Sequence, residues 1–242
     1  METFSENKYL PGDKLVSKRR EFIKNGFFFG TLTGVAGLGL VTGCKDQGQE
    51  EISPVNDLMR EHGVLNRVML IYDACKNHLA NGENFPMEAL RNSALIIRDY
   101  IEDYHEKLEE EFLFPQFAKA NLLVGLVQVL YIQHDAGRKI TEQIIQIADR
   151  KAPADANETQ KLTGLIKSFN SMYRAHEARE DTVLFPALRK IISKTEYYTM
   201  ATNFEKREFD KFGAGGYQST LDKVSFLEEQ LGIDELNKYT PA

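Results

Sequence analysis

An all-α, up-down-up-down four-helix bundle with an additional C-terminal helical segment is expected from three features of this 242-residue chain. From Pro54 onward apolar residues recur every three to four positions, with little of the period-two alternation of strands. Few prolines interrupt these runs, and the turn formers Asn81-Gly82 and Pro153-Ala154-Asp155 fall between them. Four runs of roughly 25 to 35 residues with short connections favour antiparallel neighbours.

The elements follow in chain order. Residues 1–43 read as an export signal or membrane anchor: the basic Lys18-Arg19-Arg20 precedes a Gly-rich apolar run from Phe27 to Gly43. Arg19-Arg20 with Phe22 and Lys24 resembles a twin-arginine signal, and Val41-Thr42-Gly43-Cys44 resembles a lipobox whose Cys44 is lipidated. An uncleaved anchor is the alternative, although the many glycines and threonines make a poor permanent helix. Either reading places the domain outside the cytoplasm and tethered to a membrane, as a periplasmic or cell-surface protein. Residues 44–53 read as a tether.

Ser53 and Pro54 then supply an N-cap and a first-turn proline for a helix ending near Asn81-Gly82. It carries Leu58, His62, Leu65 and Met69 on one face. Pro86 opens a second helix through Ile101, His105, Leu108 and Phe112 to about Ala118. A third runs from about Leu122 to Arg150. The fourth runs from about Glu158 to Ser193, with Phe169, Met172, His176 and Val183 on its apolar face, and residues 54–195 form the bundle. Residues 196–242 form a helical tail, expected to cap the bundle or lie near the membrane and assigned no chemistry.

Composition narrows the function. With 42 % apolar residues the chain has the surface to build a core, and a formal charge of −6 without a basic stripe argues against nucleic acid. Loss of residues 1–43 would make the charge −8. Cys44 and Cys75 form no CxxC motif, so neither a disulfide framework nor a zinc knuckle is expected, and Cys75 reads as a small buried hydrophobe.

Two segments are near copies. His105-Glu106-Lys107-Leu108-Glu109-Glu110-Glu111-Phe112-Leu113-Phe114-Pro115 aligns without gaps with His176-Glu177-Ala178-Arg179-Glu180-Asp181-Thr182-Val183-Leu184-Phe185-Pro186. Another histidine precedes each copy at a matched interval: His62 to His105 is 43 positions and His134 to His176 is 42. The chain is two helical hairpins of one design. Positions four apart share a helix face, so His105/Glu109 and His176/Glu180 each offer an imidazole and a carboxylate together. All six side chains lie on apolar faces. At about 1.5 Å per residue they fall at nearly one level of the bundle. Buried carboxylates without partners are costly, and two cations bridged by them make such a site favourable. His78, about 160° from His62 around its helix, is expected outside the site. Glu106, Glu110, Glu111, Glu177 and Asp181 read as solvated faces or as partners behind the ligands.

The pattern H…HxxxE…H…HxxxE, with Leu-Phe-Pro after each carboxylate pair, resembles the hemerythrin-like HHE cation-binding domain over about residues 54–195. The resemblance implies a non-haem di-iron centre held by His62, His105, Glu109, His134, His176 and Glu180, with Glu109 and Glu180 bridging. Manganese or a mixed pair also suits these ligands. One departure matters. Oxygen-carrying members have two histidines four apart on the third helix, whereas here Arg138 follows His134 at that distance. Reversible oxygen storage is therefore in question, and more coordination positions are left to oxygen, nitric oxide or peroxide. Arg138 reads as a solvated arginine or as a group reaching toward a bound anion or Glu109. Tyr131 and Tyr173, each three positions before a ligand histidine, are placed on the inward face, as packing residues or as donors to a bound ligand. The expected partners are a small diatomic or peroxide ligand and a membrane; the sequence names no redox partner. Three functions fit: a binding module for oxygen or nitric oxide, a peroxidase-, catalase-like or nitric oxide-reducing enzyme, and an iron-buffering protein.

Overall fold

A computed structural model of the chain describes residues 53–150, 153 and 155–241. The signal or anchor, Cys44 and all of the tether except Ser53 lie outside the described residues. Among the described residues there are six helices and no strand, so the fold is all-α, as expected. None of these helices is long and apolar enough to cross a membrane.

Helix α1 (Pro54–Asn81) starts as expected: the Ser53 hydroxyl accepts from the Asn56 amide at 3.2 Å, and Gly82 ends the helix with φ 67°, a left-handed conformation glycine adopts without penalty. Helix α2 covers residues 87–120, α3 is Val124–Ala148, and α4 covers residues 156–191 from an Asp155 N-cap. Each packs on the next and α4 packs back on α1, closing a ring of four around one core. Helix α5 (Lys194–Phe212), begun by a capping box of Ser193 and Glu196, lies on α1, and α6 (Gly216–Gln230) lies on α1 and α2. The Arg67 guanidinium fastens α6 through both oxygens of Glu228, and the rings of Tyr100 and Tyr104 take in Phe212 at 5.4 and 5.3 Å.

Helices α2 and α4 are not uniformly α-helical. Glu109–Leu113 and Glu180–Leu184 are π turns, and α2 has a longer π stretch at Ile97–His105. The repeated proline explains the first two. A proline in an α-helix lacks its N–H and clashes with the carbonyl four residues back. Widening the turn ahead of Pro115 and Pro186 relieves that clash, and a π turn inserts one residue into the helical register. The insertion corrects the sequence expectation at two places. Phe112 is only half-buried and Val183 is exposed, while the next residues, Leu113 and Leu184, are fully buried in the places assigned to them.

Candidate metal centre

The bundle brings His62, His105, Glu109, His134, His176 and Glu180 together at its centre, each at most 3 % exposed. His62 and His105, from α1 and α2, form one pair with ring centroids 4.9 Å apart; His134 and His176, from α3 and α4, form a second pair at the same separation. The carboxylates lie between the pairs. Glu109 Oε2 is 3.8 Å from His105 Nε2 and 3.6 Å from His134 Nε2. Glu180 turns Oε2 to His62 Nε2 at 3.4 Å and Oε1 to His176 Nε2 at 3.1 Å. Each carboxylate thus faces one histidine of either pair, the arrangement needed to bridge two ions.

All four imidazoles point Nε2 inward because a partner holds Nδ1 on the outside. His62 Nδ1 meets Asp181 at 2.9 Å, His105 Nδ1 meets Glu61 at 2.8 Å, His134 Nδ1 meets Glu110 at 3.0 Å, and His176 Nδ1 meets the Gln133 side-chain oxygen at 2.9 Å. A proton kept on Nδ1 leaves the Nε2 lone pair free to bind metal, and such outer partners fix the ring and raise its basicity. The Leu-Phe-Pro repeat also acts here. Phe114 stacks on His134 and Phe185 on His62, each at 5.6 Å, so each hairpin's phenylalanine packs against the other hairpin's lone histidine.

Several of the inner donors lack hydrogen-bond partners among the described residues, and their chemistry suits a bound cation. Neither oxygen of Glu109 nor of Glu180 receives a hydrogen bond, nor does His62 Nε2, although all are buried. His134 Nε2 and His176 Nε2 lie 3.2 Å apart, so two lone pairs would face each other without a proton or a metal between them. Burial drives both carboxyls upward. His176 and His62 outweigh it for Glu180 and hold that carboxyl low, which leaves Glu109, facing the Glu180 charge, well above its ordinary value. Two overlapping donor clusters, Glu109/His134/His176/Glu180 and His62/His105/Glu109, each close enough to share an ion, meet at Glu109.

Several neighbours stand elsewhere than expected. Tyr131 is 39 % exposed, not inward: its hydroxyl donates to the Glu110 carbonyl at 3.0 Å, the carbonyl a π-type bond from Pro115 would have used had that residue an N–H. Tyr173 is buried, and its hydroxyl donates to Glu106 at 2.7 Å. It reaches Glu106 only because Gly137 lies beneath it; a Cβ there would sit 2.0 Å from the Tyr173 oxygen. Arg138 is half-buried and is not turned toward Glu109. It clamps Glu106 at 2.7 Å and Glu110 at 2.6 Å, and so steadies the carboxylate behind His134. Glu106 and Glu177 are buried, whereas Glu111 is exposed and pairs with Arg207 of α5. His78 contacts the exposed Glu83, and Cys75 is a buried free thiol.

Sequence reasoning missed Glu61 and Gln133. A signal existed: each immediately precedes a lone ligand histidine, as Glu110 and Asp181 immediately follow a ligand glutamate. The repeat thus covers the outer partners as well as the ligands.

Comparison with known proteins agrees with this geometry. Residues 53–188 match the hemerythrin HHE cation binding domain. Uncharacterized proteins of Mycobacterium bovis and of two Mycobacterium tuberculosis strains are 42 % identical over 203 residues, covering 83 % of this chain and 80 % of theirs. No solved structure matches the chain. With its twofold set of histidines and glutamates inside an all-α bundle, the chain belongs to the hemerythrin HHE cation-binding family.

Proposed function

We propose that this protein holds a non-haem di-iron centre outside the cytoplasm, where it binds or reacts with oxygen, nitric oxide or peroxide. The observation that carries the reading is the inward convergence of four Nε2 atoms on two carboxylates that receive no hydrogen bond. His62 and His105 would hold one iron, His134 and His176 the other, and Glu109 and Glu180 both. Iron bound there would supply one-electron redox chemistry and Lewis acidity toward a small ligand.

The chain's own contribution is positional. The four outer partners keep the imidazoles in one tautomer. Phe114 and Phe185 fix the lone histidines from the side, and the core residues around them exclude bulk water. Arg138 is engaged with Glu106 and Glu110 and adds no seventh donor. Six protein ligands for two ions leave positions for an exogenous ligand. The Arg19-Arg20 signal and Cys44 support the placement at a membrane face.

The test is ligand addition to the anaerobically reduced iron protein. Nitric oxide, oxygen or peroxide should each change the visible spectrum at one equivalent per chain, and Glu109→Ala should abolish the change. Catalytic peroxide consumption above that of free iron would select the enzyme reading. An unchanged spectrum with all three ligands would refute the proposal.

A further inference from the structure

The four outer partners repeat with the hairpins, and the repeat is broken once. Asp181 behind His62 corresponds to Glu110 behind His134, and both are carboxylates. Glu61 behind His105 corresponds to Gln133 behind His176, and there one hairpin supplies a carboxylate and the other a neutral amide. An imidazole N–H donating to a carboxylate is polarised toward imidazolate and binds metal more strongly through its other nitrogen; a neutral amide polarises it less. His176 is therefore the weakest of the four nitrogen donors.

The surroundings of the two partners differ in the same sense. Glu61 is buried beside Tyr104 under the C-terminal helices: Phe212 of α5 packs on Tyr104 at 5.3 Å, and Arg60, next to Glu61 in the chain, lies 4.2 Å over the ring of Tyr217 in α6. Gln133 is half-buried in the wall of an apolar groove of about 340 Å³ between α3 and α4, lined also by Leu126, Val129, Ala175, His176 and Arg179. One outer hydrogen bond is sealed by the tail. The other borders a groove that opens to solvent.

We propose that the two metal positions are inequivalent, and that Gln133, as a positioning residue for His176, makes the His134/His176 position the labile one. The His62/His105 position, backed by two carboxylates of which Glu61 is sealed under α5 and α6, is the retained one. This rests on the two-metal reading above, and the experiment separates the two.

The test uses the full chain loaded with ferrous iron and challenged anaerobically with an excess of a ferrous chelator. Release should occur in two phases of equal amplitude, with rates at least about tenfold apart, the scale on which outer partners change metal binding. Gln133→Glu should slow the fast phase toward the slow one, and Gln133→Leu should speed it. Glu61→Gln should speed only the slow phase. Mössbauer spectra of the ferrous protein should show two distinct iron environments that converge in Gln133→Glu, a change that mere loosening of the fold would not produce. Release of both ions in a single phase, or two phases whose rates ignore Gln133→Glu, would overturn the inference while leaving the two-metal reading intact. Fewer than two ions bound per chain before chelation would overturn both.

Discussion

Gly137→Ala offers a sharp test of how the centre is braced, because its expected sign is opposite to the usual one. In an ordinary helix interior, glycine to alanine is stabilising by about 1 kcal/mol. At position 137 the added methyl would lie 2.0 Å from the Tyr173 hydroxyl oxygen and 2.8 Å from Cζ, so the ring must move. Tyr173 has little room: it is 1 % exposed and packs on Phe169 with centroids 4.4 Å apart. Forcing a group into such a core costs about 1–3 kcal/mol. Loss of the 2.7 Å bond to the Glu106 carboxylate costs about 1.5–3 kcal/mol more. After the helix-propensity gain, net destabilisation of about 1.5–5 kcal/mol is expected. Urea unfolding at fixed metal content measures it, with Gly164→Ala as the control, since that exposed glycine has nothing within 4 Å of a new methyl. A Gly137→Ala variant as stable as Gly164→Ala would refute the account of Tyr173 as a buried brace on Glu106.

Other perturbations have equally definite outcomes. Glu102 is raised by burial to about 7, so the folded chain keeps a proton that the unfolded chain releases near the usual carboxylate range. Its stabilising contribution is therefore complete below that range and is lost as the pH climbs through about 7, amounting to about 3 kcal/mol. Urea midpoints of the metal-free protein should fall between pH 5 and pH 8, and Glu102→Gln should flatten that fall; an unchanged slope would contradict the assignment. Ser53→Ala removes both the cap on Asn56 and the 2.7 Å contact with Tyr197 of α5, and should destabilise by about 1–3 kcal/mol in thermal unfolding, with Ser53→Thr recovering most of it. Glu109→Ala should reduce bound metal from two ions per chain to one or fewer, because Glu109 faces both histidine pairs, whereas Glu111→Ala at the surface should leave two. Retention of two ions by Glu109→Ala would argue against a bridging role.

The sequence makes the bundle and the six inner donors legible for a simple reason: 3.6-residue periodicity and the HxxxE spacing both report on a regular helix, and the ligands stand within or just ahead of the irregular turns. That regularity is broken over Ile97–His105 and again from Glu109 and Glu180 onward. Pro115 and Pro186 widen the helix by a residue, so Phe112 and Val183, correctly spaced for an α-helix, give up the core to Leu113 and Leu184. Tyr131, on the outer side of α3, donates to a carbonyl that Pro115 leaves without a donor. Arg138 and Tyr173 could not be assigned partners from spacing, because both find them on α2 across the interior. Glu61 and Gln133 lay hidden for a different reason: their role depends on contact with the second helix of their own hairpin, and one of the two does not share the other's residue type.

In the proposed centre two ions share Glu109 and Glu180 between two histidine pairs. Metal analysis combined with magnetic measurement on the purified, oxidised protein tests it most directly. Two irons per chain are expected, antiferromagnetically coupled through their shared bridge. Fewer than one iron per chain with no other metal in its place, or two irons that behave as magnetically independent ions, would contradict it.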